Sequence, residues 1–201
     1  MVKPTNFHHV NMVKRKIRFF LHSLLLIGSL LIFFNSCTKE EKPAPKLEIG
    51  SDYQGGIIFY LDYSGQHGLI CASYDQSPAL PWSNGTNIIT NATGSDIGTG
   101  MANTTAIVAA QGAGSYAAQL CNDLDLNGYS DWYLPSKSEC FYMYFNLKTL
   151  KGLGNFTDAL YWSSTEASQN NVYSQYGNDG FPPNGGYYKN TLNHVRAIRS
   201  F

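Results

Sequence analysis

Residues 121 to 140 read "CNDLDLNGYSDWYLPSKSEC", and two incompatible structures can be written over them. Asp123, Asp125, Asn127 and Gly128 open like a calcium loop, in which ligands recur at positions 1, 3, 5, 7 and 9 and a bidentate Glu closes the shell at position 12. Counted from Asp123, the ninth position is Asp131, but the twelfth is Leu134. Pro135 follows, where an exiting helix would already have to be running. The other reading explains each residue locally. Asn127-Gly128 makes a turn or ends a helix, Trp132 and Leu134 anchor a core, and Ser136 with Glu139 spells the capping box of a new helix. Scaffold is therefore expected here and no cofactor; Asp123, Asp125, Asn127 and Asp131 are the oxygen donors a calcium ion would use under the first reading.

The capped helix, "SKSECFYMYFNLKTL" (136–150), is preceded by a second helical pattern, "NTTAIVAAQGAGSYAAQLCNDL" (103–124). Asn103 or Thr104 would cap its start, and Gly112 and Gly114 would break it in two. Upstream, two β-rich runs, Gly56 to Leu61 and His67 to Ala72, flank a Gly-containing turn and read as a hairpin. Downstream, "LYWSST", "VYSQYG" and "HVRAIRSF" read as strands, the last running to the C-terminus. A strand that survives to the final residue is normally tied into a sheet, so the first and last strands are expected to be neighbours. The order of elements points to α+β. Two long polar excursions, residues 73 to 100 and 166 to 193, exceed what simple connections need.

The N-terminus has a different character. "MVKRKIR" (12–18) is a cationic segment, and "FFLHSLLLIGSLLIFF" (19–34) is an apolar run too short and too interrupted for a spanning helix of about 20 residues. Residues 1 to 36 are read as a signal peptide, whose true start would be Met12 if residues 1 to 11 are an over-long gene start. "FFNSC" resembles a bacterial lipobox, which would make Cys37 the acylated first residue of the mature chain. Residues 37 to 49, with the charged, Pro-containing "TKEEKPAPKLEIG" (38–50), read as a tether, and residues 50 to 201 as one domain. The "KEE" after the cysteine resembles an export signal to the outer face of the outer membrane.

Charge follows the same division. Five of the fourteen basic side chains precede residue 19, and after residue 36 nine basic residues face fourteen acidic ones. An acidic mature chain argues against nucleic acid as a partner. Cys71, Cys121 and Cys140 have no zinc or CxxC spacing and are read as small buried hydrophobes, with one disulfide plus a free thiol as the alternative.

"YQGGIIFYLD" (53–62), "GQHGLI" (65–70), "AAQLCNDLDLNGYSDWYLPSKSE" (117–139), "YWSSTE" (161–166) and "HVRAIRSF" together resemble the domain at the C-terminus of the collagen-like Lcl adhesin, over residues 53 to 201. The resemblance implies a C-type-lectin-like fold: small antiparallel sheets, two flanking helices and long polar loops that carry binding. Binding of sulfated polysaccharides, associated with that adhesin, is not carried over, because the domain has six basic against eleven acidic side chains.

The function expected from these features is a lipid-anchored protein of the bacterial outer membrane whose domain binds an extracellular polysaccharide or surface protein in adhesion. A structural or assembly module is the alternative, followed by an enzyme related to the sulfatase-modifying fold. An enzyme is not expected, because His67 and His194 are the only histidines after the leader and neither lies in a catalytic motif. Aromatic platforms beside hydrogen-bonding groups suit sugars, so Trp82, Glu166, Asp179, Tyr187 and Tyr188 are the candidate ligand-binding residues.

Overall fold

The computed structural model describes residues 46–176 and 186–201. Cys37 and Asp179 lie outside the described residues. Lys46–Phe201 forms one compact unit. It is an α+β structure in which, among the described residues, nine strands build two sheets.

The first sheet holds β1 (Asp52–Tyr53), β2 (Gly56–Leu61), β3 (Gly68–Cys71) and β9 (Ile198–Ser200), in that order and all antiparallel. The hairpin matches the sequence expectation and the C-terminal strand is tied into the same sheet, but its neighbour is the second hairpin strand, β3, and not the first: Leu69 faces Ser200 and Cys71 faces Ile198. Period-two alternation sends Ile58 and Ile70 into one core and Leu69 and Cys71 into another, with Phe59 joining the latter at a bulge. Both faces of this sheet are therefore covered, as the unbroken run "GIIFYL" requires.

The second sheet runs β4 (Ser77–Leu80), β8 (Asn193–Val195), β5 (Leu160–Glu166), β6 (Asn171–Tyr176), β7 (Tyr187–Tyr188). β8 lies parallel to β5, and the other pairs are antiparallel. The C-terminal run was expected to be a single strand. It is two, β8 in one sheet and β9 in the other, and the joint is Arg196-Ala197. The Arg196 guanidinium, 1% exposed, fills this joint and donates to Asp75 Oδ1 (2.8 Å), to the Ala72 carbonyl (2.9 Å) and to the Gly154 carbonyl (2.7 Å).

Among the described residues, three α-helices complete the unit: α1 (Gly100–Gln111), α2 (Ala117–Asn122) and α3 (Lys137–Met143), the last continued by a π-helical turn, Tyr144–Thr149. The break between α1 and α2 falls at Gly112–Tyr116, as its glycines require. The start of α1 differs from expectation. Asn103 does not cap it, because its side chain is turned onto the preceding loop, where it donates to the Gly94 carbonyl (2.6 Å) and accepts from Gly94 N (3.1 Å). The helix begins three residues earlier, at Gly100, where a Cβ would come within 2.2 Å of Glu139 Oε2.

The capping box of α3 is formed as expected. Glu139 N donates to Ser136 Oγ (3.3 Å), and Glu139 Oε2 accepts from Ser136 N (2.7 Å). Its other oxygen accepts from Gly98 N (2.8 Å), so one buried carboxylate ties the loop before α1 to the start of α3. Cys71, Cys121 and Cys140 are free and buried, the arrangement expected of small hydrophobes. Burial pushes the Cys71 thiol up to about 11 and drives those of Cys121 and Cys140 further in the same direction.

Candidate functional site

β5 ends in Glu166, and the turn after β7 supplies Lys189; neither side chain is more than 3% exposed, and they form a buried ion pair. Two buried charges are tolerable only when their remaining hydrogen-bonding capacity is met. Here it is. Glu166 accepts from Thr90 N (3.0 Å) and Asn91 N (3.1 Å), while Lys189 Nζ donates to the Ile88 carbonyl (2.7 Å) and lies 4.7 Å from the centroid of the Trp82 ring. Trp82 in turn donates from Nε1 to the Ser163 carbonyl (3.0 Å) and from its backbone N–H to the Lys189 carbonyl (2.9 Å). This clasp fastens residues 82 to 92 against the second sheet.

The placement corrects two expectations. Trp82 has no exposed surface, so its ring cannot be a platform for a sugar; its faces are taken by the core and by Lys189. Glu166 is buried and spends its carboxylate on Lys189 and two backbone amides. Tyr187 is half-buried and packs on the core. Tyr188, 64% exposed, faces away from it. Its Cα partner across the ladder is Asn171, and strand alternation puts these two on the opposite face from Val172 and Tyr187.

The clasp thus supports a rim of a different composition from the one read in the sequence. Gln169 Nε2 donates to the Asn87 carbonyl (3.2 Å), and Asn87 Nδ2 donates to Asn170 Oδ1 (3.4 Å), bringing the two long excursions edge to edge. Asn170 supplies its carbonyl to Lys189 N (2.9 Å), which joins these loops to the residue that follows Tyr188. Lys189 went unnoticed in the sequence because a lone lysine in a polar loop reads as a solvated charge.

Residues 121 to 140 spend most of their polar side chains on contacts within the fold. Asn127 and Gly128, at φ 57° and 82°, form the two-residue turn of a small hairpin closed by reciprocal Leu126–Tyr129 backbone hydrogen bonds. Asp123 accepts from Gln119 Nε2 (2.7 and 2.8 Å), Asn127 Nδ2 donates to the Gly55 carbonyl (2.7 Å), and Asp131 receives two hydrogen bonds from Arg199 (2.6 and 2.9 Å). Asp125 is exposed. Among the described residues, no group of three or more His, Cys, Asp or Glu is arranged to hold a metal ion.

A second polar cluster stands where β8 leaves its sheet. His194 Nδ1 lies 2.7 Å from Asp75 Oδ2, which also accepts from the Tyr161 hydroxyl (3.1 Å), while Thr157 Oγ1 is 3.3 Å from the same imidazole nitrogen. With Arg196 on its other oxygen, Asp75 acts as the hub of the joint between the sheets.

A scan against protein-family models finds no match, and no curated protein sequence matches the chain. Among solved structures, the chain is similar to a fimbrial protein from Bacteroides ovatus ATCC 8483, at 16% identity and a TM-score of 0.53. The likeness covers 76% of this chain and 48% of that protein, so the chain spans about half of its length. At this identity the likeness concerns the fold. Among the described residues, no helix is long and apolar enough to cross a membrane.

Proposed function

We propose that the chain is a lipoprotein of a bacterial outer membrane, acylated at Cys37, whose Lcl-type, C-type-lectin-like domain engages an extracellular polymer in adhesion. The observation that carries this reading is the rim at Tyr188: an exposed aromatic ring on a short strand that runs directly into the buried Lys189–Glu166 clasp, with the amide-rich loops of Asn87, Gln169 and Asn170 joined to the same clasp. An aromatic face flanked by amide donors and acceptors is the chemistry that a sugar ring requires, and a pre-organised support lowers the ordering cost of binding it. The signal-like leader, the tether and the fold likeness to a fimbrial protein support a place at the cell surface. That likeness also favours a second reading, a structural module in a surface assembly, in which the same rim would contact a protein.

The test is made on intact bacteria producing the full chain. An alkyne fatty acid should label the wild type and not Cys37→Ala, and external protease should remove the domain without lysis. Equal labelling of both proteins, or protection of the domain in unlysed cells, would overturn the placement.

A further inference from the structure

We propose that a second cleft, between the β1–β2 turn and the 126–129 hairpin, is a binding subsite for an uncharged sugar ring. It has a volume of about 340 Å³ and is lined by Asp52, Tyr53, Gln54, Gly55, Ser73 and Asn127. This lies at the small end of the range of ligand pockets, about 300–1,000 Å³. It shares no residue with the Tyr188 rim.

The cleft is a constructed feature. Gln54 and Gly55, at φ 42° and 88°, make the same kind of mirror-image turn as Asn127-Gly128, and the two turns are joined by the bond from Asn127 Nδ2 to the Gly55 carbonyl (2.7 Å). They can approach only because residue 55 has no side chain: a Cβ there would come within 2.9 Å of Asn127 Cβ. Arg199 fixes the rim by donating to Gln54 Oε1 (3.1 Å) and to the Gln54 carbonyl (3.3 Å) while its other nitrogens hold Asp131. The Tyr53 ring is seated edge-on against Phe201, with centroids 4.9 Å apart.

What these walls leave unused is the ligand-binding potential. The Asp52 carboxylate, the Tyr53 and Ser73 hydroxyls and the Asn127 side-chain oxygen make no hydrogen bond to any described residue, although all four residues line one small cleft. Acceptors, hydroxyls and an aromatic ring match the alternating hydroxyls and C–H face of a sugar. Charge narrows the class. Asp52 is the only charged side chain among the residues lining the cleft, and the nearby Arg199 is matched by Asp131, so a sulfated or phosphorylated ligand would meet a like charge that no cation of the cleft offsets.

The proposal rests on the reading of the domain as a polymer-binding module, and its test separates the two. The full chain, extracted from membranes in a detergent without a sugar headgroup, is titrated by saturation-transfer NMR with maltotriose, mannotriose and chitotriose, and with a heparin hexasaccharide as the anionic comparison. At least one neutral trisaccharide should receive saturation and the heparin fragment none. Asp52→Ala, an exposed substitution, should weaken that binding about tenfold, and Ser73→Trp should abolish it by filling the cleft. Absence of binding by all three neutral sugars, preference for heparin, or neutral-sugar binding unchanged in Asp52→Ala would overturn the proposal. Binding lost in Tyr188→Ala but kept in both cleft variants would overturn the cleft while leaving the proposed function standing; binding by the cleft in a chain shielded from external protease would do the reverse.

Discussion

The ammonium group of Lys189 lies 4.7 Å from the ring centroid of Trp82, and neither side chain has any exposed surface. A cation so placed is bearable because Glu166 neutralises it and the Ile88 carbonyl accepts from it.

Removing one partner of that pair should be far worse than removing both. Lys189→Met leaves the Glu166 carboxylate buried and unmatched, at a cost of about 3–5 kcal/mol in urea denaturation. Lys189→Met combined with Glu166→Gln should recover most of the loss. A single variant within about 1 kcal/mol of wild type would show that the clasp does not hold the 82–92 loop.

The terminal strand should be indispensable. Deleting residues 197 to 201 removes β9, both Arg199 anchors and the Ala197 bonds to Ala72 and Gln76. Calorimetry on the truncated chain should show no cooperative transition. A sharp melt near the wild-type temperature would contradict the two-sheet role of the C-terminal run.

Acid should weaken the Asp131–Arg199 pair. The hydrogen bonds from Arg199 hold the Asp131 carboxyl below the value of about 3.9 that it would have in the unfolded chain. Because the folded value is depressed, the pair stabilises fully above the unfolded value and is lost as pH falls through the folded one. Asp131→Asn should therefore be less stable than wild type at neutral pH, by no more than about 1 kcal/mol given the half-exposed carboxylate. In strong acid the two curves should converge; a gap that widens there would reverse the sign of the argument.

The opening stretch should be indifferent to calcium. Asp123→Asn with Asp125→Asn removes two of the four oxygen donors named for a calcium loop but leaves the Asn127–Gly55 and Asp131–Arg199 contacts in place. Its melting temperature should stay near that of wild type with added calcium and with chelator. A calcium-dependent rise in the wild type that the double variant lacks would restore the metal reading.

Much of the scaffold could be read from local chemistry. The capping box at Ser136 and Glu139 depends on two side chains three residues apart, and the hairpin Gly56–Cys71 on β-rich runs around one turn. The split of "HVRAIRSF" between two sheets could not be read so, because it depends on Asp75 waiting for Arg196 across 121 positions of sequence. The candidate site suffered most. Trp82 and Glu166 read locally as a polar-loop aromatic and carboxylate, but whether a tryptophan in a long loop faces solvent or core depends on a distant lysine, Lys189, that no local pattern marks. Tyr188 was legible as an aromatic in a polar excursion, and its exposure follows from alternation against Tyr187 once β7 is recognised.

The central claim, that the Tyr188 rim engages an extracellular polymer, is tested most directly by adhesion of intact cells producing the full chain to an array of immobilised glycans and surface proteins. Cells with the wild-type chain should attach to at least one component, and Tyr188→Ala, whose side chain is 64% exposed, should reduce that attachment about tenfold with an unchanged melting temperature. Attachment by Tyr188→Ala cells equal to wild type, at equal surface amounts of protein, would contradict the account.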